Sequence, residues 1–156
     1  MKNYIFAILI ILITSSCGFK VRNLNELSNY QISKISTSGD KLISYKIKNK
    51  LLLSSKSNQE KVLVVKLKTV KTKNIKEKNI KNEITKYSLT IEVNVKFHLI
   101  NKNDEIIEFK KRRTGDFNVA NKYSQTLNNE KKLVSVLIET ISDQITEEFL
   151  IQVNDL

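Results

Sequence analysis

Few residues in this 156-residue chain could do chemistry of their own, and their positions restrict what that chemistry is. There is one Cys, Cys17, and one His, His98. The lone thiol directly follows a short apolar run and the small residues Thr14, Ser15 and Ser16, the setting of an export signal. No adjacent base marks it as a catalytic nucleophile. His98 falls on the polar side of an alternating segment, and no second His or Cys accompanies it to build a zinc site. The sequence contains neither a Gly-rich phosphate loop nor a nucleophile elbow. The adjacent acids Asp104 with Glu105, and Glu147 with Glu148, fall in a turn-forming cluster and on a helix surface. Neither setting supplies the desolvation that acid and base roles generally require. The expectation is a chain with no enzymatic activity and no metal or cofactor.

What the chain does carry is positive charge. Lys and Arg number 27 against 16 Asp and Glu, for a formal net charge of +11. Only Arg22, Arg112 and Arg113 are arginines, and the excess of Lys together with abundant Asn and Ile is what an AT-rich coding sequence produces. Composition bias, however, does not sort charge by element. Residues 61 to 113 hold 15 Lys or Arg and 6 Asp or Glu, whereas residues 130 to 156 hold 2 Lys and 6 acids. The cations are densest at Lys61, Lys66, Lys68, Lys71, Lys73, Lys76, Lys78 and Lys81. Such a field attracts anions. Lysine on an exposed strand also guards against edge-to-edge aggregation, which is the plainer reading of any one of them. Aromatic residues are not interleaved with 61 to 81, so a base-stacking platform for nucleic acid is not expected.

The N-terminus specifies a compartment. Lys2 is followed by the ten-residue apolar run Tyr4 to Ile13 and then by small residues up to Cys17, which is the plan of a secretory signal. Ten apolar residues are too few for a permanent span, which takes about 20. The segment resembles the bacterial lipobox, with Thr14 where Leu usually stands; the resemblance implies removal of residues 1–16 and acylation of Cys17 as the first mature residue. Three acyl chains at ~0.8 kcal/mol per buried methylene hold a protein on a membrane stably. Gly18, not an acid, follows the Cys, so the expected address is the periplasmic face of the outer membrane.

These residues must be positioned by a small domain. A chain of this length makes one domain, with no internal repeat. Residues 17–29 read as a lipidated polar tether and 30–156 as the folded unit. Gln31 to Thr37 reads as a short strand, with Ile35 shifting its phase. Ser38, Gly39 and Asp40 form a turn and an N-cap, after which Ile43, Ile47 and Leu51 predict a helix over 41–53. A polar loop, 54–59, leads to a strand over 62–70 with Leu63, Val65 and Leu67 on one face. Tyr87 to Leu99 alternates without interruption for thirteen residues, the pattern of a half-buried antiparallel strand. Asn101 to Asp104 is a turn, and Ile107 and Phe109 begin a fourth strand from which Glu108, Lys110 and Arg112 point outward. From Glu130 to about Val153, Leu133, Leu137, Ile141, Ile145 and Phe149 recur every four residues in a long amphipathic helix, with Val134, Val136 and Ile138 widening the stripe. The expected fold is α+β, in the order β-α-β-β-β-α: a four-stranded, mostly antiparallel sheet with both helices on one face.

At this point the residues resemble a family. Cys17-Gly18-Phe19-Lys20-Val21-Arg22 is similar to the mature start of the lipopolysaccharide-assembly lipoproteins of the LptE family. Tyr87-Ser88-Leu89, Arg112 and Arg113 running into Phe117-Asn118, Tyr123, Asn129-Glu130, and Ile141, Gln144 and Ile145 follow in matching order. The resemblance implies a four-stranded sheet packed by two helices. It further implies a plug inside the outer-membrane barrel LptD that helps the barrel assemble and contacts lipopolysaccharide on its way to the surface. The family's basic contact before the third strand falls near Lys78 and Lys81; a second, before the last helix, falls near Leu127, with Lys122 or Lys131 as the basic substitute. The cationic stretch Lys71 to Lys81 is the expected lipopolysaccharide-contacting edge, which with these two matches makes Lys73, Lys76, Lys78, Lys81 and Lys122 the expected contacts, and Cys17 the lipid anchor. The polar outer face with Glu92, Asn94, Lys96 and His98 would meet the wet lumen of the barrel. The runner-up is an envelope scaffolding lipoprotein that holds a protein partner and no lipid. A solute-binding or enzymatic lipoprotein comes third, for want of any trace of an apolar pocket.

Overall fold

The computed structural model describes residues 24–100 and 105–154; the signal segment, Cys17 and the Asn101–Asp104 turn lie outside them. A 3-10 turn, Leu24–Asn29, leads into strand β1, Tyr30–Gly39. Helix α1, Lys41–Ser54, crosses to β2, Lys61–Lys78, and β3, Ile84–Leu99, and β4, Ile106–Asn118, follow. Helix α2, Tyr123–Asn154, closes the chain. The strands lie in the order β1-β2-β3-β4, with β1 parallel to β2 and the other pairs antiparallel. A parallel neighbour requires a crossover, and α1 supplies it. The expected β-α-β-β-β-α architecture is the one found.

Register explains which face is buried. Leu63 lies opposite Leu99, Val65 opposite Phe97, Leu67 opposite Val95 and Thr69 opposite Val93, and all of these side chains are buried. Ile43, Ile47 and Leu51 of α1 and Val134, Leu137, Ile138, Ile141, Ile145, Phe149 and Val153 of α2 complete the core on that face. Val136, expected in the same stripe, is exposed, because it lies a third of a turn away from the sheet. Phe149 is fully buried, with its ring 4.3 Å from that of Phe97 and edge-on to Tyr30 at 5.1 Å. It ties the last turns of α2 to the start of β1 and the centre of β3.

Several features differ from the sequence reading, the lengths of β2 and β3 among them. The tether is folded at its end: Leu27, in the 3-10 turn, is wholly buried. The phase shift expected around Ile35 is a bulge between Ile32 and Lys34. Helix α2 begins at Tyr123 and not at Glu130, with backbone N–H groups of Gln125 and Thr126 donating to Lys122 O and the Asn129 amide donating to Asn118 O.

The β1–α1 turn is fastened to β2 at one residue. Gly39 has φ +93° and packs so closely that a Cβ there would lie 1.8 Å from Thr69 O. The N–H of Asp40 donates to that same oxygen, and the Asp40 carboxylate caps α1 by accepting from Ile43 N at 3.0 Å. The Thr69 hydroxyl lies 2.7 Å from the buried Ser44 hydroxyl.

Candidate functional site: a cationic hairpin arm

Beyond Thr69 strand β2 has no partner on its β1 side, because β1 ends at Gly39. It continues for nine more residues against β3 alone, and every residue from 70 to 83 is exposed. The strand is nearly twice as long as its apolar alternation predicts. No hydrophobic period holds this part in place; pairing with β3 does, down to Lys78 opposite Ile84, with irregularities around Glu77.

The lysines of the arm divide into two groups. Register puts Lys71 opposite Ile91 and Lys73 opposite Leu89, so both point to the face that carries α2. There Lys73 Nζ donates to Glu130 at 2.7 Å and Lys71 Nζ to the other carboxylate oxygen at 3.4 Å. Lys73 also sits 4.4 Å from the centre of the Tyr87 ring and 5.2 Å from that of Phe117, over two rings stacked 5.5 Å apart. The Lys73 ammonium, helped by Lys71, holds the Glu130 carboxyl below its usual range against the opposing effect of burial. Lys76 pairs across the outer face with Asp116; their hydrogen bond and mutual attraction raise the one pKa, and that bond lowers the other. On β4 the same arrangement recurs: Lys111 donates to Glu148 at 2.7 Å and Arg113 Nε to Gln144 at 2.9 Å. In α1, Lys50 reaches Asp143 at 2.8 Å. The sorting of charge seen in the sequence is thus in part a clamp, in which cations of the sheet and of α1 grip the acidic helix α2.

The second group is at the tip. Asn79 builds the turn, its side-chain oxygen accepting from Lys81 N at 2.9 Å and Glu83 N at 3.0 Å while Asn82 takes a positive φ of 64°. Lys78 reaches only the neutral Asn82 amide oxygen, at 2.9 Å. The Lys81 ammonium has no partner among the described residues, and Ile80 between them is fully exposed. Val119 N donates to Thr85 O at 2.9 Å, which brings Lys122 to the same end of the molecule as this tip. Lys122 is exposed. Of the five lysines expected to contact lipopolysaccharide, the fold therefore brings Lys78, Lys81 and Lys122 to one end with no ion pair among the described residues, Glu83 lying in the same turn, and engages Lys73 and Lys76 internally. Tyr87, read as the start of the alternating strand, and Phe117, read only as a matching residue, prove to be the aromatic bed of Lys73; their period-two placement on adjacent strands was the available signal. His98 is half-buried between Val64 and Ile106 at the opposite end of the sheet.

No protein-family model matches the sequence, and no curated protein is significantly similar to it. Solved structures are similar in fold. One, from Caulobacter crescentus CB15 and provisionally described as a lipoprotein, aligns at 10% identity with a TM-score of 0.57, over 85% of this chain and 96% of that one. The uncharacterized lipoprotein B of Nitrosomonas europaea aligns at 12% identity with a TM-score of 0.50, over 83% and 88%. The rare lipoprotein B of Shewanella oneidensis aligns at 17% identity over 78% and 94%, with a TM-score of 0.49. At these identities the likeness is one of fold.

Proposed function

We propose that this chain is an outer-membrane lipoprotein of the LptE type. In this reading it is anchored through Cys17 on the periplasmic side, plugs the LptD barrel and supports its assembly, and touches lipopolysaccharide with the tip of the β2–β3 hairpin. The observation that carries the reading is the cluster of Lys78, Lys81 and Lys122 at one end of the molecule, with no carboxylate bonded to any of them among the described residues. Lipid A phosphates are dense anions, and lysine meets them as a flexible point charge without strict geometry. The exposed Ile80 between two of the cations adds an apolar contact suited to the acyl boundary. Two independent supports accompany it: the lipobox-like context of Cys17, and a fold shared with two solved proteins described as lipoproteins. No helix among the described residues is long and apolar enough to cross a membrane, so the anchor in this reading is the lipid on Cys17.

The test is extraction in mild detergent followed by identification of what stays bound. A large outer-membrane barrel is the expected companion; recovery of a different partner, or none, would replace this reading with the scaffolding one. Cys17→Ala should move the chain from the membrane fraction to the soluble envelope fraction, and mass spectrometry of the wild type should show an acylated Cys17 at the N-terminus.

A further inference from the structure

The open face of the sheet carries an arrangement that sheet physics alone disfavours. On β2 and β3 Lys66 lies directly opposite Lys96, and Lys68 follows two residues along on the same face. Directly opposed like charges destabilise an antiparallel pair. Lys96 is answered by Glu108 of β4 at 3.3 Å, but Lys66 and Lys68 have no side-chain partner among the described residues. On their other flank β1 places Ser36 beside Lys66 and Ser38 beside Lys68. Both serine hydroxyls touch backbone oxygens at 3.5 Å, the outer limit of a hydrogen bond, and so are available to turn. These residues, with Asn94, line an open trough of about 560 Å³.

We propose that this trough binds a phosphate-class oxyanion, held by Lys66, Lys68 and Lys96 and oriented by the Ser36 and Ser38 hydroxyls. Three ammonium groups face one carboxylate there, and a tetrahedral oxyanion has enough acceptor positions to take donors from the ammoniums and both hydroxyls together. The charged and hydroxyl groups at its rim are what would recognise a phosphate ester there. The anion replaces the repulsion between Lys66 and Lys96 by a shared attraction, which explains why the sheet keeps both. The site is independent of the hairpin tip and of the reading built on it.

The experiment uses the full chain in non-ionic detergent and follows thermal unfolding in sodium phosphate and in sodium chloride at matched ionic strength. The wild type should melt higher in phosphate. Lys66→Thr and Lys96→Thr should each raise about tenfold the phosphate concentration needed for a given melting shift, as expected for loss of one charged hydrogen bond. In chloride Lys66→Thr should melt no lower than the wild type, since the repulsion is gone and no ion pair is lost, whereas Lys96→Thr also gives up its contact with Glu108. Lys56→Thr, an exposed lysine of the α1–β2 loop outside both lysine groups, should keep the full phosphate effect, which separates this site from a general loss of charge. Equal melting of the wild type in the two salts, or an undiminished phosphate effect in Lys66→Thr, overturns the proposal. A second arm identifies the source of the ester, by flotation with phosphatidylcholine vesicles with and without phosphatidic acid. Phosphatidate-dependent binding that Lys66→Thr loses assigns a lipid headgroup; a phosphate effect without it assigns a soluble phosphate ester.

Discussion

Gly39 is the residue at which backbone conformation decides most. Its φ of +93° lies in the region that L side chains rarely adopt, and a Cβ would collide with the Thr69 carbonyl. Left-handed backbone alone costs a non-glycine residue about 1–2 kcal/mol. With the collision added, Gly39→Ala should lose at least ~2 kcal/mol, read as a lower midpoint of chemical denaturation at unchanged slope. Glu130 sets a different dependence. Its carboxyl titrates lower when folded than when unfolded, because Lys73 and Lys71 bind its charged form. The resulting stability is fully present above the ordinary glutamate value, about 4.3, and disappears as pH falls through the lower folded value. Glu130→Gln should therefore melt below the wild type at pH 7, and the two melting curves should converge as the pH is taken below 4. A gap that persists in acid would mean that the Lys73–Glu130 contact contributes shape and not charge.

At the scale of elements, the β2–β3 arm combines two roles that one run of lysines conceals. Near the core, Lys71 and Lys73 fasten the arm to α2; at its end, Lys78 and Lys81 face solvent with no ion pair among the described residues. Substitution should separate the roles. Lys73→Glu places two carboxylates together and should lower the melting temperature. Lys78→Glu with Lys81→Glu should leave melting unchanged and reduce lipid A binding at physiological salt. Equal lipid A affinity in the tip variant would remove the hairpin from the ligand contact. The arm is also an edge for most of its length, and lysine along it discourages pairing with other strands. Amide exchange should follow the same division, with residues 89–97 of β3 protected to near the global stability and 74–83 opening locally at much lower cost.

Among the described residues the core is a single cluster whose largest fully buried side chains, Phe97 and Phe149, pack ring against ring at a tilt. Phe149→Ala should cost about 3–5 kcal/mol and loosen the first strand along with the last turns of α2, since that ring touches both Tyr30 and Phe97. Much of this plan was written locally. The uninterrupted alternation from Tyr87 to Leu99, the four-residue spacing of Ile43, Ile47 and Leu51 and of Leu137, Ile141, Ile145 and Phe149, and the turn residues Gly39 and Asp40 determined the element types, their order and the buried face. Periodicity is a property of the chain itself, so sequence carries it. The extension of β2 to Lys78 left no such trace, because its residues are held by pairing with β3 and not by burial. The first turns of α2 were hidden for the same kind of reason: Tyr-Ser-Gln-Thr-Leu-Asn-Asn has a turn-like composition, and its helix is fixed by bonds to Lys122 and Asn118. The sequence by itself determined a basic α+β domain behind a lipobox-like Cys17. Only the tertiary structure decided which lysines pair with Glu130, Asp116 and Glu148 and which have no ion pair among the described residues, because charge pairing depends on register between distant segments.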